Sequence, residues 1–258
     1  MTDGVFHHFE RAIVREPSVN LGDGLTTTDL EPPDFARALR QHAAYVEALR
    51  SAGLDVITLP TAGHPDGHFV EDTALVFPEV AVITRPGMAV RRPECEAIAA
   101  ALTPLREVRT IDAPGRLDGG DVLIVGRRCF VGLSARTDTA GVAQLEEVIA
   151  AFGYSVVAVD VGAGLHLKSS VNLVDETTLL ATPALAELAC LAGLEVLVVP
   201  PDEAYAANVV RVNESLLVPA GFARTRELLS ATDARIVPLD VSEFHCMDGG
   251  LTCLSLRF

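Results

Sequence analysis

Paired β-rich runs recur along the chain: "TALVFPEVAVITRP", "GDVLIVGRRCFVGLS", "LKSSVNLVDETTLLAT" and "NVVRVNESLLVPA", followed by "GLTCLSLRF", which lacks a partner on its C-terminal side. Their centres lie about 40 to 50 residues apart, the period of architectures built from one repeated supersecondary unit. Each is preceded by a further short apolar run: "LDVITLP", "VRTIDAP", "SVVAVDV", "LEVLVVP" and "ARIVPLD". Helix-like stretches lie between the units: "PDFARALRQHAAYVEALRSAG", "RPECEAIAAALTPL", "DTAGVAQLEEVIAAFG", "PALAELACLAG" and "RTRELLSATD". Most end at or near Gly or Asp, as a helix stop does. A doubly wound open sheet joins its strands one at a time through helices, whereas here hairpins intervene. Five units close into a ring if "FERAIVRE" pairs with "GLTCLSLRF", which would remove the exposed edge. The expectation is an α/β five-bladed propeller of ββαβ-type repeats around a central site. With no Pro/Gly/Ser-rich linker, it forms one domain over residues 1–258.

A ring of this kind brings side chains from distant parts of the sequence to its centre, so the polar residues beside the hairpins become candidates for chemistry. Composition narrows the field. The formal net charge is −15, from 35 acidic and 20 basic residues. That argues against nucleic acid, whose phosphates need clustered Lys and Arg, and favours a cationic small molecule. No apolar run approaches the ~20 residues that cross a bilayer, and the start lacks a basic segment followed by a long apolar one. A cytoplasmic protein with no membrane partner is expected. The cysteines at 95, 129, 190, 246 and 253 are odd in number and have no C-x-x-C spacing. Neither a disulfide framework nor a zinc knuckle is indicated.

Cys253 follows Gly249 and Gly250 and is flanked by Thr252 and Ser255, inside what reads as a final strand. A lone cysteine is more often a small buried hydrophobe, the reading preferred for Cys95, Cys129 and Cys190. His166 stands between Leu165 and Leu167 in a strand-like alternation after two glycines. A lone strand histidine is usually structural, but cysteine with a distant histidine is a pattern of thiol nucleophiles. Two acidic clusters occupy equivalent places in consecutive units: Asp66, Glu71 and Asp72 in "HPDGHFVEDT", and Asp118 and Asp121 in "PGRLDGGDVL". Solvated turns account for one such cluster. Two converging on a central cysteine are costly unless a cation fills the space. A metal is one such cation, though neither zinc nor calcium spacing is present. A guanidinium is the other, since its fork of donors matches facing carboxylates.

These residues resemble the dimethylarginine dimethylaminohydrolases, within the guanidine-modifying superfamily of five-bladed propellers that includes arginine deiminases. The resemblance runs nearly end to end, through "DGLTT" at 23–27, "PDGHFVEDT" at 65–73, "ITRPG" with "RR" at 83–92, "LDGGDVL" at 117–123, "GLSART" at 132–137, "LHLKS" at 165–169, "YAAN" at 205–208 and "DGGLTCLS" at 248–255. It implies hydrolysis of Nω-methylated arginines to citrulline and methylamine or dimethylamine through a covalent intermediate on Cys253. His166 would act as acid and then base, with Asp118 counted beside them as catalytic. Asp66 and Asp118 would clamp the guanidinium, with Glu71 and Asp72 in support. Arg91 and Arg136 would hold the α-carboxylate, the carbonyls of Leu25 and Met247 would receive amines, and Asp248 would join them in binding. The segment at 19–34 would form a lid. No cofactor and no metal are expected, and a homodimer is compatible with the sequence. The chain departs from the family pattern at Gly67-His68. The competing readings are a related guanidine hydrolase or deiminase, a thiol peptidase, and a non-catalytic propeller that binds a partner through its face.

Overall fold

The computed structural model describes residues 8–162 and 164–258. In chain order its strands are β1 (Arg11–Arg15), β2 (Asp55–Leu59), β3 (Ala74–Val76), β4 (Val80–Ile83), β5 (Glu107–Thr110), β6 (Val122–Val125), β7 (Arg128–Leu133), β8 (Ser155–Asp160), β9 (Val171–Leu173), β10 (Thr178–Ala181), β11 (Glu195–Val198), β12 (Val210–Val212), β13 (Ser215–Pro219), β14 (Arg235–Leu239) and β15 (Leu256–Arg257). They make five three-stranded sheets of one pattern. A central strand pairs antiparallel with one neighbour and parallel with the strand that follows the next helix, as β4 does with β3 and β5. The run that seems to precede each hairpin in the sequence therefore completes the sheet of the preceding hairpin.

β1 pairs antiparallel with β15, Ala12 opposite Arg257 and Ile13 opposite Leu256, as expected, and parallel with β2. The chain ends thus share the first sheet. The expectation that this pairing removes exposed edges is not met. No ladder joins one sheet to the next among the described residues, and the third strands keep a free edge with mixed exposure, as in β2.

Packing of side chains, not strand ladders, joins the strands of one sheet to those of the next. The central strands are buried on both faces and read as continuous apolar runs, as in "VAVI" of β4. Successive residues on a strand point to opposite sides, and each side meets a different neighbouring sheet. Val80 and Val82 of β4 enter the cluster shared with β6 and β7, while Ala81 and Ile83 enter the cluster shared with β1. In the same way Leu217 of β13 packs with Ala12 and Val14 of β1, whereas Leu216 and Val218 pack with Leu180 of β10. The fifth sheet is thereby sealed against the first.

Helices α1 (Phe35–Ser51), α2 (Glu94–Leu102) and α3 (Thr139–Ala150) fill the expected stretches. In α1 the side chain of Asp34 accepts from Arg37 N–H at 2.6 Å, and Ala38, Tyr45, Val46 and Leu49 form its buried face. "PALAELACLAG" does not form one helix. It divides into α4 (Pro183–Ala186) and a 3-10 turn at Ala189–Leu191. Leu185 and Leu191 both belong in one core cluster, and a separation of six residues does not place them on one helical face. Two short helices, α5 (Ala223–Leu229) and α6 (Ser242–His245), follow. No helix among the described residues is long and apolar enough to cross a membrane.

Each hairpin is entered through a short 3-10 turn, at Val70–Thr73, Gly119–Asp121, Leu167–Ser169 and Pro201–Ala207, and a fifth at Thr252–Leu254 leads into β15. The turns at 70–73, 119–121, 167–169 and 252–254 touch one another in pairs. They are the parts of the fold that carry the candidate residues.

Candidate active site

Cys253 lies in the 3-10 turn Thr252–Leu254 rather than within a strand, and His166 lies in extended backbone just before the turn Leu167–Ser169. Both sequence expectations of strand placement are corrected. The reason is shared: the alternation of apolar residues around them reflects core packing by the turn, since Leu167 and Leu254 are buried beside it.

Cys253 and His166 line one cavity of about 240 Å³, together with Asp66, Asp72, Arg91 and Arg136. Leu25, Met247 and Asp248 line it as well. Phe69, Met88 and Leu165 also line it, apolar residues that motif reading did not single out, and Thr26, Thr27 and Gly249 complete the wall. Asp118, Glu71 and Asp121 stand behind the wall.

Asp118 is fully buried. Its Oδ2 lies 3.1 Å from His166 Nε2, and its Oδ1 accepts the Gly87 N–H at 2.8 Å. Asp72 Oδ1 lies 3.9 Å from the same His166 nitrogen and accepts the Gly120 N–H at 3.0 Å. Asp121 accepts from Leu167 N–H and Ser134 hydroxyl. Burial alone would keep the imidazole neutral, but Asp72, the hydrogen-bonded Asp118 and Asp121 outweigh it and raise its pKa from 6.5 to about 9. Burial likewise disfavours the Asp72 carboxylate, yet His166 and Arg91 bring it down to about 2. The double glycine of "LDGGDVL" has a steric basis here. A Cβ on Gly120 would fall 2.7 Å from Asp72 Oδ1 and 2.8 Å from His166 Nδ1.

Arg91 is buried, and its guanidinium is engaged within the protein. Nη1 meets Asp72 Oδ2 at 2.5 Å, Nη2 meets Glu94 Oε2 at 2.7 Å, and Nη2 also donates to the carbonyl of Phe69. Glu94, three residues along in "RRPE", was not anticipated; the i,i+3 spacing from Arg91 is the signal that could have found it. Arg136 is half-buried, and no hydrogen bond or ion pair of its guanidinium is found among the described residues, so it faces the cavity as an available cation. Glu71 pairs with Lys168 at 2.7 Å and accepts the Thr252 hydroxyl at 2.7 Å.

Asp66 accepts the Leu25 N–H through both oxygens at 3.1 Å, and Asp248 accepts both the N–H and the hydroxyl of Thr27, at 2.5 and 3.0 Å. The segment at 19–34 is thus tethered across the cavity at both acids. Burial raises the pKa of Asp66 against the pull of Arg91 and the Leu25 N–H. His68 packs against Phe69 and Phe244, and burial, with His42 and Arg91 nearby, lowers its pKa to about 3. Neither Gly67 nor His68 lines the cavity, so this departure alters the packing behind the wall.

Cys253 borders the cavity half-buried. Burial, Glu71 and Asp72 push its thiol up to about 12. Asp72, Asp118 and His166 place one donor atom each within 4.8 Å of one another, a set that could hold a metal ion. Both carboxylates already have internal partners, Arg91 and Gly120 on Asp72 and Gly87 and His166 on Asp118.

The cavity therefore offers a thiol, a charged imidazole and carboxylates whose excess charge calls for a cation. Comparison with known proteins points the same way. A family model described as eukaryotic N,N dimethylarginine dimethylhydrolase matches residues 33–187. The N(G),N(G)-dimethylarginine dimethylaminohydrolase of Pseudomonas aeruginosa is 38% identical over 253 residues, 97% of this chain and 100% of that one. That of Streptomyces coelicolor is 39% identical over 251 residues, 96% of each. A solved structure of the Pseudomonas enzyme, a Cys-to-Ser mutant complexed with citrulline, superposes with a TM-score of 0.95 over 97% of this chain and 100% of that chain, at 37% identity. The N-terminal domain of ArgZ, 18% identical with a TM-score of 0.84 over 98% of this chain and 97% of that one, shares the pentein fold. By sequence along nearly its whole length and by the five-sheet fold that carries its cysteine and histidine to one cavity, the chain belongs to the dimethylarginine dimethylaminohydrolase family.

Proposed function

We propose that the protein hydrolyses Nω-methylated arginines to citrulline and methylamine or dimethylamine, within a single catalytic domain. The observation that carries this reading is the placement of Cys253 in one cavity with an imidazole that Asp118 and Asp72 hold charged. A substrate guanidinium entering beside Asp66 and Asp72 offsets the charge that keeps the thiol protonated, so binding activates the nucleophile. The thiolate then forms a C–S bond to the guanidine carbon. His166 delivers its proton to the departing amine as the C–N bond breaks. Water attacks the resulting S-alkylthiouronium, loses a proton to the now neutral His166, and displaces the thiolate to give citrulline.

Asp66 serves as the carboxylate that meets the guanidinium directly, since it borders the cavity, whereas Asp118 acts through His166. Arg136 takes the α-carboxylate, and Arg91 fixes Asp72. The carbonyls of Leu25 and Met247 and the side chain of Asp248 border the place where the amino group would sit. The five free cysteines, the nucleophile among them, support a reducing cytoplasmic setting. All residues of this reading belong to one chain, so a homodimer is compatible with it but not required.

The test is to incubate the purified protein with arginine, monomethylarginine and asymmetric dimethylarginine and to measure citrulline and released amine. Citrulline from the methylated substrates, lost in Cys253→Ser, is the expected result. Turnover of arginine alone, with release of ammonia, would replace this reading by a deiminase. No citrulline from any of the three would overturn it.

A further inference from the structure

The motif "YAAN" plays no part in the chemistry above, yet its asparagine reaches the centre of the ring. Asn208 closes the 3-10 turn Pro201–Ala207 and is buried. Its amide nitrogen donates to the Lys168 carbonyl at 2.9 Å and to the Thr252 hydroxyl at 3.1 Å, and its amide oxygen accepts the Thr252 N–H at 3.0 Å. The Thr252 hydroxyl donates in turn to Glu71 Oε2 at 2.7 Å, and Glu71 Oε1 meets Lys168 Nζ at 2.7 Å. The belt therefore returns to the residue from which it began.

Each of the other three members is one or two residues from a group that faces the cavity. Glu71 precedes Asp72, Lys168 follows His166 by two, and Thr252 precedes Cys253. The three turns belong to different sheets, with no strand ladder between them. Asn208 comes from a fourth sheet and contributes no atom to the cavity wall. The fit is close: a Cβ on Gly250 would fall 2.5 Å from Asn208 Oδ1. An aspartate in its place would lose the donor that two acceptors require, and a leucine would leave the Thr252 N–H buried and unpaired.

Resting on the proposed hydrolase reading, we infer that Asn208 is a positioning residue that sets the distance and orientation of Cys253 relative to His166 by bracing the turn Thr252–Leu254 against the Lys168 carbonyl. Nucleophile and acid reach a common carbon only if both turns keep their register, and a displacement of about 1 Å costs on the order of 100-fold in rate. Binding depends on other groups, so the effect falls on kcat.

The experiment compares wild type, Asn208→Ala, Thr252→Val and Thr252→Ser, each checked by circular dichroism and thermal melting. Citrulline release should show kcat reduced by on the order of 100-fold in Asn208→Ala, with KM within about threefold. Thr252→Val, which removes the shared hydroxyl, should fall in the same direction, and Thr252→Ser, which retains it, should restore kcat to within about threefold of wild type. Alkylation of Cys253 by a neutral reagent at pH 7 supplies a readout that needs no turnover. It should rise about tenfold in Asn208→Ala, because a loosened turn admits water to the thiol and favours its charged form. If Asn208→Ala does not fold, the Thr252 pair and the alkylation rates of those two variants decide. A silent wild type would count against the hydrolase reading alone, since alkylation still reports the turn. Unchanged kcat and alkylation in folded Asn208→Ala overturn the inference, as does equal loss of activity in Thr252→Ser and Thr252→Val.

Discussion

Replacing Asp118 by Asn tests why His166 is charged. In the native site Asp118 Oδ1 is held by the Gly87 N–H at 2.8 Å, which turns Oδ2 toward His166 Nε2 at 3.1 Å. An asparagine keeps that shape. Its carbonyl retains the Gly87 N–H, and its amide NH₂ then faces Nε2, which accepts that bond only in the neutral imidazole. The change removes one charge-assisted hydrogen bond, worth about 1.5–3 kcal/mol, and at 1.36 kcal/mol per pH unit the midpoint should fall by about 1–2 pH units. Starting from about 9, His166 should titrate at about 7–8. It stops short of 6.5 because Asp72 remains 3.9 Å away. The assay is kcat/KM against pH, which reports the free enzyme, with imidazole titration by NMR in a Cys253→Ser background to keep the thiol out of the curve. The alkaline limb, near 9 in wild type, should move down with the NMR midpoint. Stability carries the same signature with a definite sign. A folded pKa raised above 6.5 stabilises the protein fully below pH 6.5, and this contribution fades as pH rises through about 9. Asp118→Asn should therefore destabilise most at pH 6, by about 1.5–3 kcal/mol, and little at pH 9.5. An unmoved midpoint, or a larger destabilisation at pH 9.5 than at pH 6, would refute the account.

Three further outcomes are expected. His166→Ala should lack both the acid for the departing amine and the base for the hydrolytic water, so that a substrate analogue whose leaving group needs no proton forms the S-alkylthiouronium on Cys253 but hydrolyses it slowly, seen as a mass increase on intact protein; absence of any adduct with such an analogue would remove the histidine from the second half of the reaction. Asp66→Asn should raise KM by roughly 10- to 100-fold through loss of a charge-assisted pair with the guanidinium, and hydrogen exchange at the Leu25 amide should quicken as its tether weakens; unchanged KM would return the clamp to other residues. Arg91→Met should lower stability by about 3–5 kcal/mol, because Asp72 and Glu94 are left buried without their cation, and denaturant melts at pH 7 will show whether the loss is of that size.

The repeat was legible because its cause is local. Each central strand needs apolar residues on both faces, so "VAVI" or "SLLVP" announces itself whatever the neighbours are. The same holds for the helix from Phe35, whose apolar stripe repeats at helical spacing. "PALAELACLAG" misled, because its apolar residues answer to a shared cluster and not to one helical face.

The cysteine, the histidine and the acids could be picked out of the sequence because reactive and charged residues beside glycines are conspicuous there. Their division of labour could not. Whether Asp118 faces a ligand or a histidine, and whether Arg91 is free or held by Asp72, depends on which side of a 3-10 turn each side chain leaves, and on groups 48 and 19 residues away. Asn208 is the extreme case: an ordinary residue in the sequence, it gains its place only where turns from separate sheets meet. Residue type determined the chemistry this chain can perform, since a thiol, an imidazole and an excess of carboxylates carry their reactivity and charge into any fold. Tertiary structure alone decided which of them meet, because burial and distance set both the charge of each group and its partner.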